Sequence, residues 1–262
     1  MREENLADLL EAVATGEVSP EQAEADLRGY VTGDAGRFDA ARERRSGVPE
    51  AVLATGKTPE EVAALAVTSL ETTGRAIITR VTGDHRDQLH RRFESEVPEA
   101  TVTDHERASI VVAHDTDFEP PSLDADVGVV TAGTSDTIPA SEAATLVREM
   151  GARVERIDDI GVAALSRLLD QLSVLREQDV LIVAAGREGA LPTVVAGLLD
   201  VPVIGLPVST GYGHGGEGEA ALSGMLQSCT ALTVVNVDAG FTAGVQAGLV
   251  ARQLDDARSD EK

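Results

Sequence analysis

The one cysteine of the chain, Cys229, closes the run Met225-Leu226-Gln227-Ser228-Cys229, and three glycine-rich turns precede it. A thiol is a strong side-chain nucleophile, and glycine turns let backbone come close to a ligand. The turns span residues 131–136, 184–192 and 209–216. Each follows a short run rich in Val, Ile or Ala and leads toward a helix-like segment. Loops of that kind leave the same edge of a parallel sheet, so the pattern builds one pocket with one thiol near it. That favours an enzyme site over a passive scaffold.

Each turn has two readings. In the first, backbone N–H groups near Gly133 plus the hydroxyls of Thr134 and Ser135 would hold an anion at a helix start. Alternatively Ser135 or Asp136 simply caps that helix. In the second, Gly186-Arg187-Glu188-Gly189-Ala190-Leu191-Pro192 sets a charged pair between two glycines. Glu188 there is either a general base or part of a solvated turn. The third, Ser209-Thr210-Gly211-Tyr212-Gly213-His214-Gly215-Gly216, satisfies G-x-G-x-x-G. A dinucleotide fingerprint belongs to the first βα turn of its domain, so this late loop reads as a lid or a close backbone approach. No His, Cys and acid cluster has zinc spacing. Cys229, taken alone, reads as a small buried hydrophobe at a helix C-terminus, where the dipole disfavours a thiolate.

The elements that would position these residues follow from hydrophobic period. From Asp126 onward short strands alternate with helices: strands at 127–130, 153–157, 180–184, 201–206 and 232–237, helices at 139–150, 162–176, 191–199, 217–228 and 241–253. Near-continuous Val/Ile strands in that alternation predict a parallel sheet covered on both faces, with ligands outside the carboxyl ends of the strands. The fold class expected is therefore α/β, a three-layer parallel sheet, preceded by a smaller helical or mixed α+β domain. Pro120-Pro121 sets the boundary, giving domains of residues 1–121 and 122–262. In the first domain, Leu6, Leu9, Leu10, Val13, Ala23 and Leu27 share a helical face over 4–29, with Ser19-Pro20-Glu21-Gln22 as a helix start. Residues 33–49 are polar and arginine-rich. Thr58-Pro59-Glu60-Glu61 caps a helix running to about Thr72, and 75–81 and 108–113 read as strands.

Composition limits the partners. Forty-five acids face 22 bases, a net charge of −23, and only Lys57 and Lys262 are lysines. Phosphate-tracking nucleic-acid binding needs a basic footprint, which is missing. Acid-rich, lysine-poor composition fits a high-salt cytoplasm, where screening shrinks self-repulsion. One cysteine excludes an intramolecular disulfide, and no apolar run approaches the roughly 20 residues of a membrane span. The expectation is a cytoplasmic protein with a small-molecule substrate and neither nucleic acid nor membrane as partner.

The turns at Gly133-Thr134-Ser135-Asp136 and Gly189-Ala190-Leu191-Pro192, with Pro202-Val203-Ile204-Gly205-Leu206-Pro207, resemble the PurE-type carboxylase domain of purine synthesis. Residues 188–197, Gly224-Met225-Leu226-Gln227-Ser228-Cys229 and Val235-Asn236-Val237-Asp238-Ala239-Gly240-Phe241 narrow the resemblance to the LarB family. Phe38-Asp39, Arg42, Arg45, Gly47, Pro49-Glu50 and residues 56–60 resemble that family's leader domain. The resemblance implies a flavodoxin-like core and a homo-oligomer, an octamer in PurE-like proteins. It implies carboxylation of the pyridinium ring of nicotinic acid adenine dinucleotide with CO2 or bicarbonate. It further implies Mg2+-dependent hydrolysis of the phosphoanhydride, giving AMP and pyridinium-3,5-biscarboxylic acid mononucleotide for a nickel-pincer cofactor.

By that resemblance Cys229 is the nucleophile, Glu188 is the proton-transfer or carboxylate-handling group, and Ser135 and Asp136 hold CO2 or the nucleotide. The loop with Ser209, Gly211, Tyr212 and Gly213 wraps the dinucleotide, as do Gly186, Gly189, Ala190, Leu191 and Pro192. Arg42 and Arg45 reach its carboxylate or phosphates, and Asp136, Asp238 or Glu188 meet Mg2+. Three positions depart from the family pattern: Ser166 for a histidine, Arg187 for a methionine, and Ala239 for a polar residue. Ile157-Asp158-Asp159 stands where purine carboxylases carry a Ser-Ala-His-Arg turn, which counts against aminoimidazole ribonucleotide as substrate. A non-catalytic nucleotide-binding protein is the third reading, and it would need neither Cys229 nor Glu188.

Overall fold

The computed structural model describes residues 6–16, 20, 23, 29–33, 35–211 and 213–260. The chain divides into two compact units, Met1–Glu119 and Pro120–Lys262.

In the first unit, α1 (Leu6–Thr15) is followed by a β-hairpin of β1 (Val31–Gly33) and β2 (Gly36–Phe38), α2 (Arg42–Ser46) and β3 (Val52–Leu53). Then come α3 (Pro59–Thr73), β4 (Arg75–Thr79), α4 (Gly83–Glu96), β5 (Thr101–His105) and β6 (Ile110–His114). A four-stranded sheet runs β3-β4-β6-β5, parallel at β3/β4 and antiparallel elsewhere. The α3 start obeys its sequence signal: Thr58 Oγ1 accepts from the Glu61 amide at 3.2 Å, and Glu61 Oε2 accepts from the Thr58 amide at 2.8 Å. Gly74, at φ +71°, ends the helix left-handed. Val62, Ala66, Leu70, Ile78, Leu89 and Phe93 pack in its core. On the expected α1 face Leu10 is exposed and Ala23 buried. The side chains of Leu6 and Leu9, and Ser19 and Leu27 entirely, lie outside the described residues.

The second unit is the expected α/β layer. Its parallel sheet has the order β11-β10-β9-β7-β8, built from β7 (Asp126–Thr131), β8 (Arg153–Ile157), β9 (Val180–Ala185), β10 (Val203–Pro207) and β11 (Thr233–Val234). The helices are α5 (Thr137–Glu149), α6 (Leu165–Asp170), α7 (Leu172–Arg176), α8 (Ala190–Leu198), α9 (Glu219–Leu226) and α10 (Gly240–Asp260). All six residues of the central β9 are buried, with apolar clusters on both faces of the sheet. Each large aliphatic side chain so buried contributes about 1.5–3 kcal/mol. Strand order reverses between β7 and β9, the switch point where ligands of such sheets collect.

Several expectations need correction. The helix predicted over 162–176 is a 3₁₀ turn plus α6 and α7, broken at Gln171. The strand predicted over 232–237 pairs only at Thr233 and Val234, because Asn236–Asp238 turns to begin the loop before α10. The last helix runs seven residues beyond Gln253, to Asp260. α4 and β5 had no counterpart in the sequence reading. Only His85, Leu89 and Phe93 of α4 are buried, so its apolar stripe is one residue wide.

Candidate functional site at the carboxyl edge of the parallel sheet

The loops leaving β7, β9, β10 and β11 meet at one edge, and Asp136 is their junction. It is 3% exposed. Its Oδ2 accepts from the Gly133 amide at 2.8 Å, and its Oδ1 from the hydroxyls of Ser135 and Thr210, both at 3.4 Å. Burial pushes the Asp136 carboxyl above its usual range, partly opposed by donors from Gly133, Thr210, Gly186 and Ser135. A methyl group on Gly186 would stand 3.1 Å from Thr210 Oγ1 and 3.3 Å from Asp136 Oδ1. Gly186 is therefore glycine so that the β9 loop can approach the carboxylate.

Asp238 closes the neighbouring corner. Its amide donates to the Pro207 carbonyl at 2.9 Å, and its Oδ1 accepts from the Ser209 amide at 3.0 Å. On the other side Thr131 Oγ1 donates to Asp158 Oδ1 at 3.0 Å and accepts from the Asp159 amide at 3.1 Å. Asp158 and Asp159 are paired in turn with Arg156 and Arg167.

Backbone strain collects here. Asp159, Arg187, Glu217 and Asp238 all have φ between +52° and +61°. One follows each of β8, β9, β10 and β11. Such left-handed non-glycine residues are costly and persist where surrounding structure holds them, commonly at functional sites.

Glu188 is exposed beside Gly189, the left-handed residue that starts α8. That loop rests on α9: methyl groups on Gly189 and Gly224 would fall 2.6 Å from the Ala221 carbonyl and 2.4 Å from the Glu188 carbonyl. Cys229 lies five residues beyond Gly224 and is exposed, rather than the buried hydrophobe its chemistry alone predicts. Its neighbour Thr230 donates to the Thr193 carbonyl at 3.5 Å and packs its methyl on Gly197. The segment that carries Cys229 thus lies alongside α8.

The structure brings Gly133, Ser135, Asp136, Gly186 and Ser209 together at the edge, with Gly211 packed on the Arg187 backbone. Thr134 is exposed in the same turn. Leu191 and Pro192 are buried, Leu191 in the core, so they present backbone at most. Gly213 is exposed and left-handed at φ +86°; Tyr212 lies outside the described residues. In the first unit, Arg45 makes a two-pronged pair with Asp39 at 2.6 and 3.1 Å, and Arg42 meets Glu50 at 2.9 Å. The Arg45 hydrogen bonds hold the Asp39 carboxyl below its usual range. A cavity of about 300 Å³ there is lined by Asp39, Glu43, Arg44, Glu50 and Arg75, and its three acids are paired with Arg45, Arg75 and Arg42. Thr210 and the Thr131–Asp158 contact were missed; a hydroxyl just past a buried strand end was the available signal.

The AIR carboxylase family model matches residues 126–261, and the LarB/PurE-like N-terminal domain model matches residues 30–115. The chain belongs to the LarB family. An uncharacterized protein of Methanocaldococcus jannaschii is 36% identical over 256 residues, covering 95% of this chain and 97% of that protein. A solved PurE2 variant of Treponema denticola is 18% identical, with a TM-score of 0.38, covering 51% of this chain and 92% of its own. The two domain matches follow the family's order, and the family is of carboxylase type. Among the described residues no helix is long and apolar enough to cross a membrane, and no three His, Cys, Asp or Glu side chains are grouped to hold a metal.

Proposed function

We propose that this LarB-family chain carboxylates the pyridinium ring of nicotinic acid adenine dinucleotide and hydrolyses its phosphoanhydride. The products are pyridinium-3,5-biscarboxylic acid mononucleotide and AMP. The observation that carries the reading is an exposed Cys229 on an AIR-carboxylase-type domain that follows a LarB-type N-terminal domain.

The ring carbon C5 of a pyridinium is electron-poor and does not attack CO2. The Cys229 thiolate adds to C4, giving a dihydropyridine whose C5 is an enamine carbon. C5 then attacks CO2, and Glu188 accepts the C5 proton. Expulsion of the thiolate restores the aromatic ring. One hard step becomes several easier ones, and the ring's positive charge favours the nearby thiolate. Asp136, Ser135 and the glycine loop at 209–216 bind the nucleotide part of the extended substrate. The second reaction is attack of water on the phosphoanhydride, with AMP leaving.

Magnesium, when bound, would neutralise charge on the phosphates. Both Asp136 oxygens already accept hydrogen bonds and Asp238 Oδ1 accepts from the Ser209 amide, so exposed Glu188 is the carboxylate that best fits an ion shared with substrate phosphates. We assign the active form to a homo-oligomer, the octamer of the family resemblance. Leu198 and Leu226, 40% and 65% exposed near Cys229, support a covered surface there.

The test is incubation in molar KCl with the dinucleotide, Mg2+ and bicarbonate, read by mass spectrometry. AMP and the biscarboxylated mononucleotide are expected. Turnover of aminoimidazole ribonucleotide instead would move the protein to purine carboxylation, and inertness toward both would leave only nucleotide binding.

A further inference from the structure

We propose that Glu142 is a positioning residue for the carboxyl-edge site, acting through the first turn of α10 on Asp238 and Ser209. The inference rests on the reading that this edge holds the substrate. It begins with Gly240, Gly244 and Gly248, spaced four apart and so on one face of α10. A methyl group on each would stand 2.2 Å from the Pro139 carbonyl oxygen, 2.6 Å from that of Ala143 and 2.5 Å from Met150 Sδ. The backbones of α5 and α10 are therefore in contact at their amino ends, with no side-chain layer between them.

Glu142 lies in that seam, 4% exposed, and the methyl position on Gly240 is 2.8 Å from its Oε2 and 2.9 Å from its Cβ. A carboxylate is costly to bury unless something favours its charge. The amino end of a 21-residue helix does so, carrying partial positive charge. Glu142 thereby fixes where α10 begins. Two residues earlier Asp238 is held left-handed at φ +53°, and it accepts from the Ser209 amide at 3.0 Å. Thr210, the next residue, donates to Asp136. A shift at the start of α10 is passed through Asp238 and the Ser209–Thr210 loop to the buried carboxyl of Asp136.

The experiment compares Glu142→Ala and Glu142→Gln with the parent protein by amide hydrogen exchange. Ser209 is the reporter, and Leu181, which donates to the Pro202 carbonyl in the sheet, is the control. Glu142→Ala is expected to speed exchange at Ser209 by about tenfold while Leu181 changes less than about twofold. Glu142→Gln, of the same size but without the charge that the helix end favours, is expected to speed exchange at Ser209 by about threefold, with Leu181 again unchanged. On the dinucleotide, KM should rise about tenfold in Glu142→Ala with kcat within about threefold. Equal acceleration at both amides, or unchanged exchange at Ser209, overturns the proposal. A parent protein inert on the dinucleotide defeats the substrate reading, and the exchange comparison still decides the positioning. Should Glu142→Ala fail to fold, a selective loss at Ser209 in Glu142→Gln supports the proposal, and no selective loss overturns it.

Discussion

Asp136 at the carboxyl edge is held differently from Asp126 and Asp179 at the amino edge, and also from its arginine-paired neighbours Asp158 and Asp159. At the amino edge Asp126 is gripped by Arg153 at 2.7 and 2.8 Å, and Asp179 by Arg258 at 2.5 and 3.0 Å. Hydrogen bonds from Arg153 hold the Asp126 carboxyl low; for Asp179 burial pulls upward but Arg258 outweighs it. At the carboxyl edge Asp136 has only neutral donors, and burial raises its carboxyl. Arginine-paired acids stay ionised: Asp126–Arg153 ties β7 to β8, and Asp179–Arg258 fastens α10 beside β9. Asp136 is held by hydroxyls and amides with no countercharge among these contacts, an environment common at functional sites. On the proposed function, the amino edge holds the layers together and the carboxyl edge is where the reaction takes place.

Cys229→Ala has the largest expected effect on activity: carboxylated product falls at least about a thousandfold. Its thermal midpoint stays unchanged, because the side chain is exposed. Next is Asp136→Asn, expected to lower kcat/KM about a hundredfold. Its stability effect has the opposite sign. A carboxyl raised in the folded state costs stability as pH climbs through its folded value, so the amide variant should be the more stable one at neutral pH and flatter between acid and neutral. Urea titrations at several pH values check this.

Gly189→Ala is expected to cost about 2–4 kcal/mol, since it combines a left-handed φ of +65° with a 2.6 Å approach to the Ala221 carbonyl. The smallest change at neutral pH is Arg258→Ala. Asp179 is depressed in the folded state, so the stability it supplies is full above the ordinary carboxylate value and lost as pH falls through the lowered one. Removing Arg258 brings acid unfolding to higher pH, an effect that shrinks in molar salt.

How much of this was legible in the sequence varied with the range of the interaction responsible. Thr58-Pro59-Glu60-Glu61 announced α3 because capping is local. The unbroken apolar run of β9 announced a strand buried on both faces. α4 was invisible because its buried face is only His85, Leu89 and Phe93. β5 is an edge strand with one apolar residue, Val102, among Thr101, Thr103, Asp104 and His105. The Asp136 turn stood out through its glycine and hydroxyls, whereas its partner Thr210 lies 74 residues away and has no local signature. The ion pairs of Arg42 and Arg45 span only six to eight residues, yet charge alone did not say whether a substrate or a neighbouring acid would receive them.

The most direct measurement follows ¹³C from labelled bicarbonate into the pyridinium product, for the parent protein, Cys229→Ala and the amino-edge variant Asp179→Asn. The account predicts one labelled carboxylate per product with the parent and with Asp179→Asn, and none with Cys229→Ala. Label retained by Cys229→Ala, or lost with Asp179→Asn while that variant stays folded, would contradict the division of labour between the two edges.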